Sequence, residues 1–335
     1  MRKIARFASI AASVAMAAPG GYHIVKEIKI GGDGGWDYLT MDSPARRLYV
    51  SHATHVVVID TDKGTVAGDI PDTPGVHGVA LAPDLNRGFV SNGRGNNVTI
   101  FDLKTLAKIG EVKTGQNPDA IQYEASSKRV FTFNGRSKDA TAFNAQTGAV
   151  EGTIPLGGKP EFSAADGKGK IYVNIEDTNE IAEIDAKSLK VTKKYSLKPC
   201  DEPSGLAMDV KNRRIFSVCG NKMMAISDPD SGKVLAAPPI GEGADGAGFD
   251  PGRGVAFSSN GEGTLTVIGE TSGKWGVIET VKTQRSARTM TVDEKTHTLY
   301  MPAAEYGPTP AATAGTPKPR PAMTKDSFKL LVVGQ

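Results

Sequence analysis

A short aromatic-led strand recurs about every forty residues along the chain, and this period constrains the fold more than any other feature. Its copies are Tyr49-Val50-Ser51-His52, Phe89-Val90-Ser91-Asn92, Phe131-Thr132-Phe133-Asn134, Tyr172-Val173-Asn174, Phe216-Ser217-Val218-Cys219, Phe257-Ser258-Ser259-Asn260 and Tyr300-Met301. Successive leaders stand 40, 42, 41, 44, 41 and 43 residues apart, which makes seven copies. Strand-like self-similarity at roughly 40 to 45 residues is the mark of a β-propeller.

Two further markers keep step with the first. After each of the first six copies comes a strand, a polar turn and another strand, as in Val58-Ile59-Asp60-Thr61-Asp62-Lys63-Gly64 and Phe143-Asn144-Ala145-Gln146-Thr147-Gly148. Asp or Asn opens that turn and Gly often closes it, as a tight antiparallel hairpin requires. Before the aromatic strand runs a strand of smaller residues, such as Leu39-Thr40-Met41-Asp42, Val79-Ala80-Leu81-Ala82 or Leu206-Ala207-Met208-Asp209. Small side chains suit the innermost strand, where blades crowd the axis. Each unit therefore predicts four antiparallel strands that bury their faces only against neighbours.

The two ends predict how the ring closes. Phe328 to Val333 has the pattern of a third strand with nothing after it, and Ile24 to Ile30 that of a fourth strand with no blade before it. Pairing them completes blade seven and covers two open sheet edges. The expected fold is all-β: a seven-bladed propeller over residues 19–335, closed by N- and C-terminal strands sharing one blade. The Pro-rich segment 307–327 breaks the period and is expected as an extended loop, either a neutral insertion or a lid over the channel mouth.

The strands Tyr49-Val50-Ser51-His52 and Phe89-Val90-Ser91-Asn92 resemble the Tyr-Val-Thr-Asn copies of the YncE-like, YVTN-repeat propeller family. The resemblance spans roughly residues 22–335 and rests on seven spaced copies. It implies a seven-bladed, usually exported propeller from a family whose members mostly lack an assigned reaction. Relatives of this architecture bind other molecules, act as lactonases, or belong to quinone- and copper-dependent oxidoreductases. The match weakens in blade five, where Cys219 takes the Asn position, and in blade seven, where Tyr300-Met301-Pro302-Ala303 lacks it. No catalytic residue carries over.

Arg2, Lys3 and Arg6, the apolar run to Met16, and Ala15-Met16-Ala17 before Pro19 follow the order of a secretory leader over residues 1–18. A periplasmic or secreted chain is therefore expected, with no membrane-spanning segment after the leader. Its removal takes three basic residues and no acidic ones, so 40 basic against 37 acidic residues becomes 37 against 37. A neutral chain without a Lys/Arg cluster disfavours nucleic acid as a partner. A small ligand or a partner protein fits better, and a monomer is expected. The two cysteines, Cys200 and Cys219, are expected to form a disulfide in an oxidising compartment, with a soft metal pair as the competing role.

Propeller sites lie where loops converge at one mouth of the channel, so the residue that begins each innermost strand is the candidate. In blade order these are Asp37, His77, Asp119, Glu161, Ser204, Asp245 and Arg288. The loops after the second strands add His52, Asn92, Asn134, Glu176, Asn221, Asn260 and Glu305 on the same rim. Four carboxylates, a histidine and an arginine at equivalent positions crowd charge around one axis, which a cation, Arg288 or water must relieve. The expected occupant is a cationic or polyhydroxylated ligand, or a divalent cation held by His77, Asp119, Glu161 and Asp245. Oxygen donors favour Ca²⁺ or Mg²⁺, and a histidine admits a transition metal. The alternative is that these side chains bind loop backbone and line a wet channel.

Trp36 is expected either to pack between blades or to offer an aromatic platform. There is no C-x-x-C-H, G-x-S-x-G, H-E-x-x-H or Walker loop, which disfavours covalent haem and common hydrolase machinery. The sequence thus points to a binding or scaffolding propeller, with a rim-metal, lactonase-like hydrolase as the alternative. In the latter, Glu161, Asn134, Asp119 or His77 would bind the cation and a neighbouring carboxylate would act as base.

Overall fold

Seven four-stranded antiparallel sheets are arranged in sequence order in this computed structural model, which describes residues 20–310 and 321–335. The leader-like segment and the middle of the Pro-rich insertion lie outside the described residues. Blade one runs Leu39–Asp42, Arg47–His52, His55–Asp60 and Thr65–Ile70, and the next five repeat that meander. Among the described residues, the only helical elements are 3₁₀ turns at Pro83–Leu85 and Glu176–Thr178.

Local chemistry explains the hairpins. Asp60 Oδ1 accepts from the Asp62 and Lys63 N–H groups, and Asp102, Asn144 and Asp228 bind their own turns in the same way. These short side chains satisfy the turn backbone where no strand can.

No blade has a core to itself. The leaders Tyr49, Phe89, Phe131, Tyr172, Phe216 and Phe257 are at most 1% exposed. They pack in clusters that mix adjacent blades: Tyr49 and Val58 of blade one meet Val79 and Phe101 of blade two. Burying each such ring contributes about 1.5–3 kcal/mol, available only when the neighbour is present.

Blade seven is built from both ends of the chain, as predicted. Its strands run Thr291–Asp293, Thr298–Ala303, Lys329–Gly334 and, outermost, His23–Lys29. Register pairs His23 with Gly334 and Lys29 with Lys329. The Pro-rich insertion leaves blade seven between its second and third strands and starts as a ladder, Gly307 N–H donating to Ala322 and Thr324 N–H to Glu305.

At the end opposite the rim, a turn residue in each of blades one, three, five and seven reaches back to the blade before. Arg46 binds Asp293, Lys128 binds Asp84, Arg213 binds Asp166 and His297 binds Asp250. The Arg46 contact, at 2.5 Å, joins blade one to blade seven across the closing seam.

Candidate functional site

The backbone that presents the rim is pinned from neighbouring blades. Ser91 Oγ of blade two donates to the Asp119 carbonyl of blade three at 2.6 Å, and Ser259 Oγ of blade six to the Arg288 carbonyl of blade seven at 2.6 Å. Thr289 Oγ1 binds the Asp37 carbonyl at 2.7 Å, and the Tyr38 N–H donates to the His77 carbonyl at 3.1 Å. Glycine allows the close approach on the far side. A Cβ at Gly205 would lie 2.5 Å from the Asp245 carbonyl oxygen.

Six of the seven expected rim side chains form one continuous polar chain. Ser204 Oγ donates to Asp245 Oδ1 at 2.6 Å, and Asp245 pairs with Arg288. Arg288 Nη2 lies 3.8 Å from Asp37 Oδ1, and Asp37 Oδ2 lies 2.6 Å from His77 Nδ1. His77 Nδ1 is in turn 3.5 Å from Asp119 Oδ1. Blades five, six, seven, one, two and three each supply one link.

The chain ends unbalanced. Asp119 Oδ1 is buried and has no hydrogen-bond partner, and the next blade presents another carboxylate, Glu161. Glu161 pairs with Lys159 at 2.6 Å, and Lys159 also pairs with Glu176. Burial raises the Asp119 carboxyl to about 6; His77 opposes that shift and Asp37 adds to it. Burial and the nearby Asp119 push Glu161 up to about 7. Burial alone would lower His77, but the Asp37 hydrogen bond and the charges of Asp119, Asp37 and Glu161 carry it up to about 9. Two carboxyls pushed towards protonation chiefly by burial, beside a stabilised imidazolium, mark a desolvated acidic site.

The second set of rim candidates divides. Asn92, Asn134 and Asn260 are fully buried and turned into their own blades, where each amide donates to a threonine, Thr99, Thr141 and Thr266. His52, in the same position, has Val57 at the register position where they have threonine. It stacks on Phe328 at 4.3 Å, and neither ring nitrogen has a partner. Burial, followed by His55, lowers its pKa to about 4. Asn221 binds the Asp201 N–H and the Pro199 carbonyl in a loop. Glu305 lines, with Arg288 of the rim chain and Tyr306, a cavity of about 680 Å³ under the start of the insertion. Trp36 packs at the seam of blades one and seven, 5.1 Å from Phe328.

Cys200 and Cys219 form the expected disulfide, with Cα atoms 5.5 Å apart.

Three features of the site were not anticipated. Lys159 stands two residues before Glu161, on one face of an extended segment, a spacing that could have been read. The rim-facing hydroxyls of Ser51, Ser91 and Ser259 recur two residues after their leaders. Tyr38, from blade one, crosses the axis to pack with blades three and four and meets Phe162 edge-on at 4.8 Å. These rings floor the rim and separate it from a cavity of about 560 Å³ at the other mouth, lined in part by Met41, Leu81, Ile121 and Val292. Burial holds the Tyr38 hydroxyl protonated beneath the acidic cluster.

No family model and no curated protein matches the chain. Among solved structures it is similar to Kuenenia stuttgartiensis hydrazine synthase, with a TM-score of 0.68 and 14% identity over 88% of this chain and 96% of that one. At that identity the likeness is one of fold, the β-propeller.

Proposed function

We propose that this chain is an exported binding propeller that holds a small cationic ligand at the polar rim of its channel. One observation carries the reading: Asp119 and Glu161 are carboxylates at equivalent positions of adjacent blades, near enough for the Asp119 charge to raise the Glu161 carboxyl, and Asp119 Oδ1 is buried without a hydrogen-bond donor. A cation seated there would offset the burial and repulsion that otherwise push these carboxyls towards taking up protons. The aromatic floor of Tyr38 and Phe162 favours a shallow site over a through-channel. Export is supported by the Cys200–Cys219 bridge together with the leader-like order of residues 1–18. The repeated aromatic-led strands support a place beside YncE-like propellers. A scaffold that holds a partner protein by the same rim belongs to this reading.

A thermal-shift panel on chelator-treated protein tests it, with Ca²⁺, Mg²⁺, Zn²⁺, spermidine and, as an uncharged control, glucose. At about 100 Kd a specific cation adds about 2.7 kcal/mol. The shift should vanish in the double variant Asp119→Asn/Glu161→Gln. If no cation moves the wild-type transition, the rim is a wet channel mouth and the reading fails.

A lactonase-like reading draws on Glu161, whose carboxyl near 7 suits proton transfer at neutral pH. Turnover of a lactone panel that disappears in Glu161→Gln while cation binding persists would favour it.

A further inference from the structure

Within the rim, one subset has more definite chemistry than an acidic patch. Asp37, His77 and Asp119 each offer one donor atom, and these atoms all lie within 4.8 Å of one another. Among the described residues no other such group of three occurs. The geometry points to these three side chains as a site for a divalent transition metal, of the Zn²⁺ or Mn²⁺ class. This inference rests on the rim-binding reading above and names the occupant.

The donor set decides the class. Ca²⁺ takes roughly six to eight oxygens, whereas one imidazole nitrogen with two carboxylates suits Zn²⁺, Mn²⁺ or Fe²⁺. Three protein donors also leave a coordination position for water or a ligand. Metal–ligand bonds of about 2.0–2.2 Å in a tetrahedral shell place donors about 3.4 Å apart. The 3.5 Å separation of His77 Nδ1 from Asp119 Oδ1 already matches, and the 2.6 Å separation from Asp37 Oδ2 must widen by about 1 Å. Asp245, by contrast, is engaged by Arg288 and Ser204, and Glu161 by Lys159. Asp119 Oδ1, buried and without a hydrogen bond, is the atom with most to gain from a metal.

The frame is rigid in the way a metal site requires. Successive blades supply the three residues from one equivalent position. Their backbones are fixed by Ser51 Oγ on the Asp37 N–H at 2.8 Å, by Tyr38 N–H on the His77 carbonyl, and by Ser91 Oγ on the Asp119 carbonyl. The imidazole is seated by Gly93. A Cβ there would lie 2.5 Å from His77 Nε2, so any larger residue displaces the ring that presents Nδ1 to both carboxylates. Gly93 is therefore a positioning residue, and it makes no contact with the metal itself.

The test uses the full exported chain, stripped with chelator, titrated calorimetrically with Zn²⁺ and Mn²⁺, and spectroscopically with Co²⁺ as a visible-absorbing substitute. One equivalent should bind and give Co²⁺ absorption in the visible. His77→Gln and Asp119→Asn should each weaken binding by about 100-fold or more, and Gly93→Ala by about 10-fold, while metal-free melts show all three folded. Failure of all three metals to bind, or equal binding by wild type and both ligand variants, overturns the metal assignment. If metals fail but spermidine still stabilises the wild type and not Asp119→Asn/Glu161→Gln, the rim-binding reading stands without its metal. If neither binds, both fall together.

Discussion

His77 Nδ1 lies 2.6 Å from Asp37 Oδ2, so an imidazole of blade two sits between carboxylates of blades one and three at the channel mouth. This arrangement sets a pH dependence whose sign follows from three shifts in the same direction. His77 rises from 6.5 to about 9, Asp119 from 3.8 to about 6 and Glu161 from 4.5 to about 7. A raised folded-state pKa stabilises fully below the unfolded value and loses that stability as pH climbs through the folded value. Metal-free protein should therefore lose stability steadily between pH 5 and 9, by several kcal/mol in all. Carboxylates held low, such as Asp185 at about 2, act oppositely and only below about pH 4. Urea melts across that range check the slope. Asp119→Asn should flatten its acid half, and a wild-type profile that is flat or rising would contradict the arrangement.

The Arg46–Asp293 pair should matter far more than its neighbour Arg46–Asp62. The Asp293 side chain is fully buried, whereas Asp62 is 64% exposed. Removing the guanidinium by Arg46→Met leaves a buried carboxylate uncompensated, at a cost of about 3–5 kcal/mol. Asp62→Ala should cost less than about 1 kcal/mol. Denaturant midpoints at constant m-value compare the two, and the double variant Arg46→Met/Asp293→Leu should recover part of the first loss.

Cys219 occupies the position that Asn92, Asn134 and Asn260 hold in their blades. There the amide clamps a threonine of the next strand, but blade five has Ala225 in that place, and its tie runs instead through the bridge to Cys200. The bond spans 19 residues, and reducing it should cost about 3 kcal/mol through the greater freedom of the unfolded chain. Thermal melts with and without reductant measure this, and a thiol count under denaturing, non-reducing conditions should give none. Two free thiols would refute the bridge.

Much of this architecture is legible in the sequence because propeller contacts are local. A strand, its hairpin partner and the next blade lie within about forty residues, so period and turn chemistry are enough to number the blades. The positions that begin the innermost strands follow from the same count, which is why Asp37, His77 and Asp119 could be named together. Side-chain direction is harder to read. Asn92 and Asp119 both stand at strand ends near the rim, yet the first turns inwards to Thr99 and the second faces the axis. Tyr38 was not legible because its partner Phe162 belongs to the fourth blade, across the ring, and no repeat links them. In hindsight their bulk is the signal. At the equivalent position the other blades carry Gly78, Ala120, Gly205, Gly246 and Thr289.

The closing strand offers the sharpest test of how the ring holds together. His23–Lys29 is mostly exposed on its outer face, but Ile28 is 4% exposed and packs with Trp36, Phe328 and Leu330 across the seam of blades one and seven. Ile28→Ala should cost about 2–4 kcal/mol, whereas Val25→Ala, at a half-exposed position of the same strand, should stay within about 0.5 kcal/mol. Deleting residues 22–31 removes the Ile28 contact, the Tyr22 packing on Phe257 at 5.3 Å, and the whole ladder between His23–Lys29 and Lys329–Gly334 at once. It also exposes the edge of a strand whose residues are almost all buried, which invites association. The deletion should therefore lower the melting temperature by about 10 °C or more and promote aggregation, well beyond an ordinary end truncation. An unchanged melting temperature would mean that the ring closes without this strand, and that the rim residues are not held by the seam that brings Arg288 against Asp37.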